Sequence, residues 1–140
     1  MNRATKLAAI ALGAAAMAVG PLAHTATAVG GKAPSLDGTF VAVPGAAFTT
    51  YGQPAAVVSE GGSLTFTNTD VIHHTVTSDA LDPDTGSPVF GTGDDGKTPV
   101  EFGQSGDVSG VSELDPGTYT FHCDIHSNMT GSLVVVGSVA

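Results

Sequence analysis

From residue 39 to residue 136 the chain is a succession of short β-branched and aromatic runs, closed by glycine, proline or Asx turns. Thr39-Phe-Val-Ala-Val43 stops at Pro44-Gly45, and Ala55-Ala-Val-Val-Ser59 stops at Glu60-Gly-Gly62. Ser63-Leu-Thr-Phe-Thr-Asn68 alternates polar with apolar, which puts Leu64 and Phe66 on one face. Residues 71–78 read as the next strand, after the Asn68-Thr69-Asp70 turn. Pro116-Gly117 opens Thr118-Tyr-Thr-Phe-His-Cys123, which alternates again. Gly131-Ser-Leu-Val-Val-Val136 is apolar enough to be a strand buried on both sides or packed between sheets. No stretch after the first 28 residues keeps a helical period, and no segment repeats. This pattern predicts an all-β sandwich or barrel. Nineteen glycines and eight prolines supply its turns, and a hydrophobic content of 41% is enough for a core.

Residues 79–107 break the pattern. Asp82, Asp84, Asp94, Asp95 and Asp107 sit there among glycines and prolines, so the segment reads as a long acidic surface excursion. Val89-Phe90 or Val100-Glu-Phe102 are its candidate anchors to the body. Asp82-Pro-Asp84-Thr-Gly86 faintly resembles a calcium loop, but the twelfth position is Gly93, where such a loop needs an acid. A solvated loop is expected.

Residues 1–28 read as a cleavable secretory signal. Arg3 and Lys6 precede an uncharged run from Leu7 to Gly20, and Ala26-Thr-Ala28 has the small-x-small form of a cleavage site. The uncharged run is well short of the roughly 20 residues that cross a bilayer. The expectation is an exported domain over 29–140, periplasmic or extracellular, with no membrane span in its mature form. That domain keeps all thirteen acids and only Lys32 and Lys97 as cations, a formal charge of −11. Such a balance excludes a nucleic-acid binder, which replaces phosphate counterions with Lys and Arg. It suits a partner with a basic docking patch, and equally a protein merely kept soluble by its charge.

Cys123 is the only cysteine, so there is no intrachain disulfide and no multi-cysteine zinc cage. A free thiol in an oxidising compartment calls for burial or a metal. His126 and Met129 follow Cys123 at two successive three-residue steps, just past a strand. Thiolate and imidazole suit copper or zinc, and a thioether tips the choice toward Cu(I). With five His and three Met in the chain, chance places both at those offsets with a probability of about 0.0008. The competing reading is a buried structural Cys followed by an exposed His and a core Met. Two His and one Cys in a plane, with a weak axial Met, form a blue-copper site, which requires a second His. Strand parity selects it. His74 shares a face with Val76, whereas His73 shares one with Thr75 and Thr77, so His74 points inward and His73 outward. By the same parity Tyr119, Phe121 and Cys123 face inward and His122 faces solvent.

Glu60-Gly-Gly-Ser-Leu-Thr-Phe-Thr-Asn-Thr-Asp70, His74-Thr-Val76 and the run from Pro116 through Cys123-Asp-Ile-His126-Ser-Asn-Met129 to Gly131 resemble the cupredoxin family. The nearest group is that of the small bacterial plastocyanins, pseudoazurins and amicyanins, and the likeness spans roughly 39–78 and 108–137. The resemblance implies a Greek-key β-sandwich holding one type 1 copper ion. It also implies His74, Cys123 and His126 as equatorial ligands, Met129 as the axial one, and His126 near the surface as the electron's doorway. The implied function is single-electron transfer between transient protein partners, by a monomer that is not an enzyme. A copper carrier or store using the same ligands is the alternative. Catalysis would need a second copper centre, and after residue 28 only His73 and His122 remain for it. Two positions depart from the family. Thr75 stands where several members have Asn, and Ile125 where many have Pro. Ile125 has an N–H, so a second N–H···S bond to Cys123 is expected.

Overall fold

Alternating burial builds the strands, since on a strand every second side chain faces the same way. The computed structural model describes residues 35–53 and 55–137, so the expected signal segment lies outside the described residues. The strands are β1 (Gly38–Ala42), β2 (Ala55–Ser59), β3 (Leu64–Asn68), β4 (Thr77–Ser78), β5 (Gly91–Thr92), β6 (Ser105–Ser109), β7 (Gly117–His122) and β8 (Thr130–Val136). Single 3-10 turns occupy Ala46–Phe48 and Val111–Glu113. Phe40 and Ala42 of β1, Leu64 and Phe66 of β3, and Val58 of β2 are buried on the inner face. In β8 only Leu133 and Val135 are buried, while Val136 is exposed. That strand therefore buries one face, not both as its composition suggested.

The strands run in the order β1-β3-β6-β5-β4-β7-β8-β2. β1 lies parallel to β3 and β2 parallel to β8, and the remaining pairs are antiparallel. β6 joins two sheets: Ser105–Asp107 pair with β3, and Val108 and Ser109 pair with β5. At the other seam the two end strands approach. Ser59 N–H donates to Leu36 O at 3.0 Å, and Gly52 N–H donates to Val41 O at 2.9 Å. The result is an all-β sandwich closed like a barrel. Its core is an aromatic stack in which Phe40 meets Tyr51 and Phe121 at centroid distances of 4.9 Å each, with edge-on or tilted geometry.

Two segments depart from the sequence reading. Residues 79–107 contribute β5 and the first half of β6, and both Phe90 and Val100 are buried, although Phe102 is exposed. The segment is thus part of the sheet as well as an acidic surface. Residues 71–78 form a strand only at Thr77–Ser78. Ahead of it, His74 makes an isolated antiparallel bridge to Val100.

Candidate metal centre

β7 carries Cys123 to one end of the sandwich, where the thiol is buried. The chain then makes a tight loop closed by Met129 N–H donating to His126 O and by Cys123 N–H donating to Met129 O, each at 3.0 Å. Met129 is fully buried, and its backbone is tied in this way to both Cys123 and His126. His74 arrives from the segment before β4. Its backbone is bracketed by Val100, whose N–H donates to His74 O at 2.8 Å and whose carbonyl accepts from His74 N–H at 3.2 Å. Cys123 Sγ lies 3.9 Å from His74 Nδ1 and 3.7 Å from His126 Nδ1, and the two Nδ1 atoms are 3.1 Å apart. Burial, and after it the nearby His74, lower the pKa of His126, which favours its neutral ring.

His74 is wholly buried, and its other ring nitrogen fixes its role. Nε2 lies 3.0 Å from Asp70 Oδ2. Burial pushes the Asp70 carboxyl up. Its bond to His74 and the N–H groups of Gly45, Ala47 and Val71 outweigh that and hold it at about 2. An ionised carboxylate only accepts, so Nε2 carries a proton, and Nδ1 is the ring nitrogen that faces Cys123. A carboxylate behind a ligating imidazole is the usual support of a metal site. Sequence reading treated Asp70 only as a turn residue, because an i,i+4 spacing outside a helix carries no signal.

Thr75 holds the thiol from two directions. Its N–H donates to Cys123 Sγ at 3.4 Å, and its hydroxyl accepts from Asp124 N–H at 2.9 Å. The second N–H···S bond expected from Ile125 is not formed; among the described residues Thr75 is the one backbone donor to the sulfur. The Thr75 hydroxyl captures the peptide after the cysteine and sets the direction in which the loop leaves.

His73 is exposed, 3.9 Å from Glu101 Oε2. His122 lies between Asp79 Oδ1 at 2.5 Å and Asp124 Oδ1 at 3.1 Å, on opposite ring nitrogens. Neither ring joins the cluster. The inward placing of His74 agrees with parity, but residues 74–78 are all buried. Alternation is therefore not what seats the ring; the Val100 bridge is.

Comparison with solved structures places this architecture. A purple cupredoxin from Nitrosopumilus maritimus superposes with a TM-score of 0.51 at 20% identity, covering 71% of this chain and 99% of its own. A reduced single-site mutant of amicyanin gives 0.51 at 21% identity, covering 69% and 79%. The chain has the cupredoxin fold. No family model matches the sequence, and no curated protein matches it either.

Within the cupredoxin fold, the donors can be tested against a metal. Bonds of about 2.3 Å to sulfur and 2.0 Å to nitrogen, in a trigonal plane, put sulfur and nitrogens roughly 3.7 Å apart and the nitrogens roughly 3.5 Å apart. The sulfur spacings of 3.7 and 3.9 Å fit, and the imidazole pair, at 3.1 Å, is closer by a few tenths of an ångström. One thiol and two imidazoles whose Sγ and Nδ1 atoms converge suit a soft late transition metal such as copper. Among the described residues no helix is long and apolar enough to cross a membrane.

Proposed function

We propose that this chain is an exported mononuclear type 1 copper protein that carries single electrons between protein partners. The observation that carries the reading is the convergence of Cys123 Sγ with the Nδ1 atoms of His74 and His126 at 3.7 to 3.9 Å. His74, Cys123 and His126 would hold the ion, with Met129 as a weak fourth ligand. Copper bound there supplies a one-electron Cu(I)/Cu(II) couple.

The chain's own residues supply the rest. The bonds joining Cys123, Met129 and His126, together with the Val100 bridge to His74, keep the donors in one arrangement. A site that moves little between oxidation states has little reorganisation to overcome. The Thr75 N–H draws electron density from the sulfur and so favours the reduced state. His126 is half-buried, so its ring provides a short path to a docked partner.

Addition of Cu(II) to the metal-free protein should produce an intense visible thiolate-to-copper band that Cys123→Ala abolishes. A colourless mixture would overturn the reading. Met129→Leu should keep the band and change the reduction potential. A copper carrier built on the same donors would lose copper quickly to a chelator and exchange electrons slowly between copies. The opposite pattern is expected here. Export is tested by N-terminal sequencing of the protein recovered outside the cytoplasm, which should begin at Val29.

A further inference from the structure

The geometry points to Tyr51 as a positioning residue for the copper centre, holding the Thr75 N–H on the cysteine sulfur from the far side of the aromatic core. The Tyr51 hydroxyl donates to Thr75 O at 2.5 Å, across 24 residues of sequence. The ring is 3% exposed and packs on Phe121, two residues before Cys123, at a centroid distance of 5.4 Å. It also lies 4.9 Å from Phe40 and 6.0 Å from Phe66. One side chain thus grips both segments that meet at the sulfur: β7 through its ring, and the His74–Val76 segment through its hydroxyl.

The bonds around Thr75 show why this grip matters. The peptide that follows Thr75 is held at both ends, its carbonyl by Tyr51 and its N–H by Thr92 Oγ1 at 3.3 Å. The peptide before it carries the N–H that reaches Cys123 Sγ. Residues 74–76 lie outside any strand longer than a single bridge. Val100 N–H holds the carbonyl of the peptide that carries the Thr75 N–H, at 2.8 Å, and Tyr51 holds the carbonyl of the peptide that follows, so the two restraints bracket Thr75. Burial first, then the charges of Cys123 and Asp124, raise the pKa of the phenol well above its ordinary value, so it stays a donor. With the hydroxyl removed, the Thr75 carbonyl loses its partner in a site that is 1% exposed, and the bonds left on either side, from Val100 and Asp124, hold the direction of its N–H less firmly.

The effect on the metal rests on the copper reading above, whereas the hydrogen-bond clamp does not, and the test separates them. In the metal-free protein, amide hydrogen exchange is measured for Tyr51→Phe and for Phe40→Leu, which loosens the same aromatic cluster without touching Thr75. Tyr51→Phe should speed exchange at Thr75 by about tenfold relative to the Val100 amide. Phe40→Leu should speed both alike. Equal acceleration of the two amides in Tyr51→Phe would overturn the clamp. In the copper-loaded protein, Tyr51→Phe should shift the Cu(I)/Cu(II) equilibrium about threefold toward Cu(II), while Phe40→Leu leaves it in place. An unchanged potential beside a selectively loosened Thr75 would overturn the link to the metal. Failure of the unaltered protein to form the copper band would instead overturn the proposed function, with the exchange result still deciding the role of Tyr51. If Tyr51→Phe does not fold, 3-fluorotyrosine is incorporated into a Tyr119→Phe background, where Tyr51 is the one tyrosine left. Its more acidic hydroxyl should slow Thr75 exchange, and an unchanged rate would overturn the proposal.

Discussion

At the scale of single residues, the site depends on which groups stand behind the donors. Asp70 is 3% exposed and accepts from Gly45 N at 3.1 Å, Val71 N at 2.8 Å and His74 Nε2 at 3.0 Å. It fixes the orientation of the His74 ring. Asp70→Asn keeps an acceptor for the ring but removes the charge, and should weaken copper binding about 10- to 100-fold, the usual effect of losing such support. Competition with a chelator of known affinity measures it, and the thiolate band should survive because the three donors remain. An affinity unchanged within twofold would show that the carboxylate only anchors the 45–47 turn. Thr75 works at the sulfur through both its backbone and its side chain. Its hydroxyl binds the Asp124 N–H, a contact that needs only a short acceptor in the right place.

At the scale of secondary-structure elements, the antiparallel pair of β7 and β8 carries the ligand loop, and its closeness depends on one missing side chain. Gly131 faces Phe121 in register. A Cβ there would come within 2.5 Å of Phe121 Cζ and 3.1 Å of Phe40 Cζ. Neither ring can yield freely, because they pack edge-on against each other at 4.9 Å. Gly131→Ala should therefore destabilise the fold by about 1 to 3 kcal/mol through overpacking, read from the urea unfolding midpoint. A loss under about 0.5 kcal/mol would mean that the stack has slack. The same stack lies next to the loop running from Cys123 to Met129, so its rigidity also serves the metal centre. β6 performs the other structural task. By pairing with β3 over its first half and with β5 over its second, it turns the corner between sheets and brings the 79–107 segment into the body. Buried Phe90 and Val100 mark where that segment is anchored, and the Val100 anchor is also the backbone partner of His74.

For the whole molecule, charge governs encounters. Thirteen acids against two cations after residue 28 create a negative field, which speeds association with cations and is screened over about 8 Å at physiological ionic strength. Reduction by a small cationic metal complex should slow as salt is raised, and reduction by an anionic complex should quicken. Stopped-flow rates at several ionic strengths measure both. Rates independent of salt for both complexes would show that the acids lie too far from the electron's exit to act. Exposed apolar residues occur at Phe48, Val71 and Ile125, on segments that adjoin the site. Asn128 Nδ2 donates to Thr49 O at 2.8 Å, which ties the ligand loop to the turn bearing Phe48.

The primary structure by itself determined the positions of β1, β2, β3, β7 and β8, because alternating Leu64 and Phe66 or Phe121 and Cys123 can bury one face only as β-structure, whereas β5, β6 and the short extent of β4 were not legible in it. It also determined the grouping of Cys123, His126 and Met129, because three-residue steps past a strand end keep them in one short loop. Only the tertiary structure decided what surrounds them. Asp70 behind His74, Thr75 on the sulfur, Tyr51 on Thr75 and Val100 beside His74 are contacts between segments that local periodicity does not connect. The Ile125 bond was expected from the presence of an N–H, but a donor acts only where the backbone aims it, and that direction is set by the Thr75 hydroxyl 49 residues away. Periodicity reports which face a residue takes, whereas hydrogen-bond partners depend on how distant segments are packed against one another.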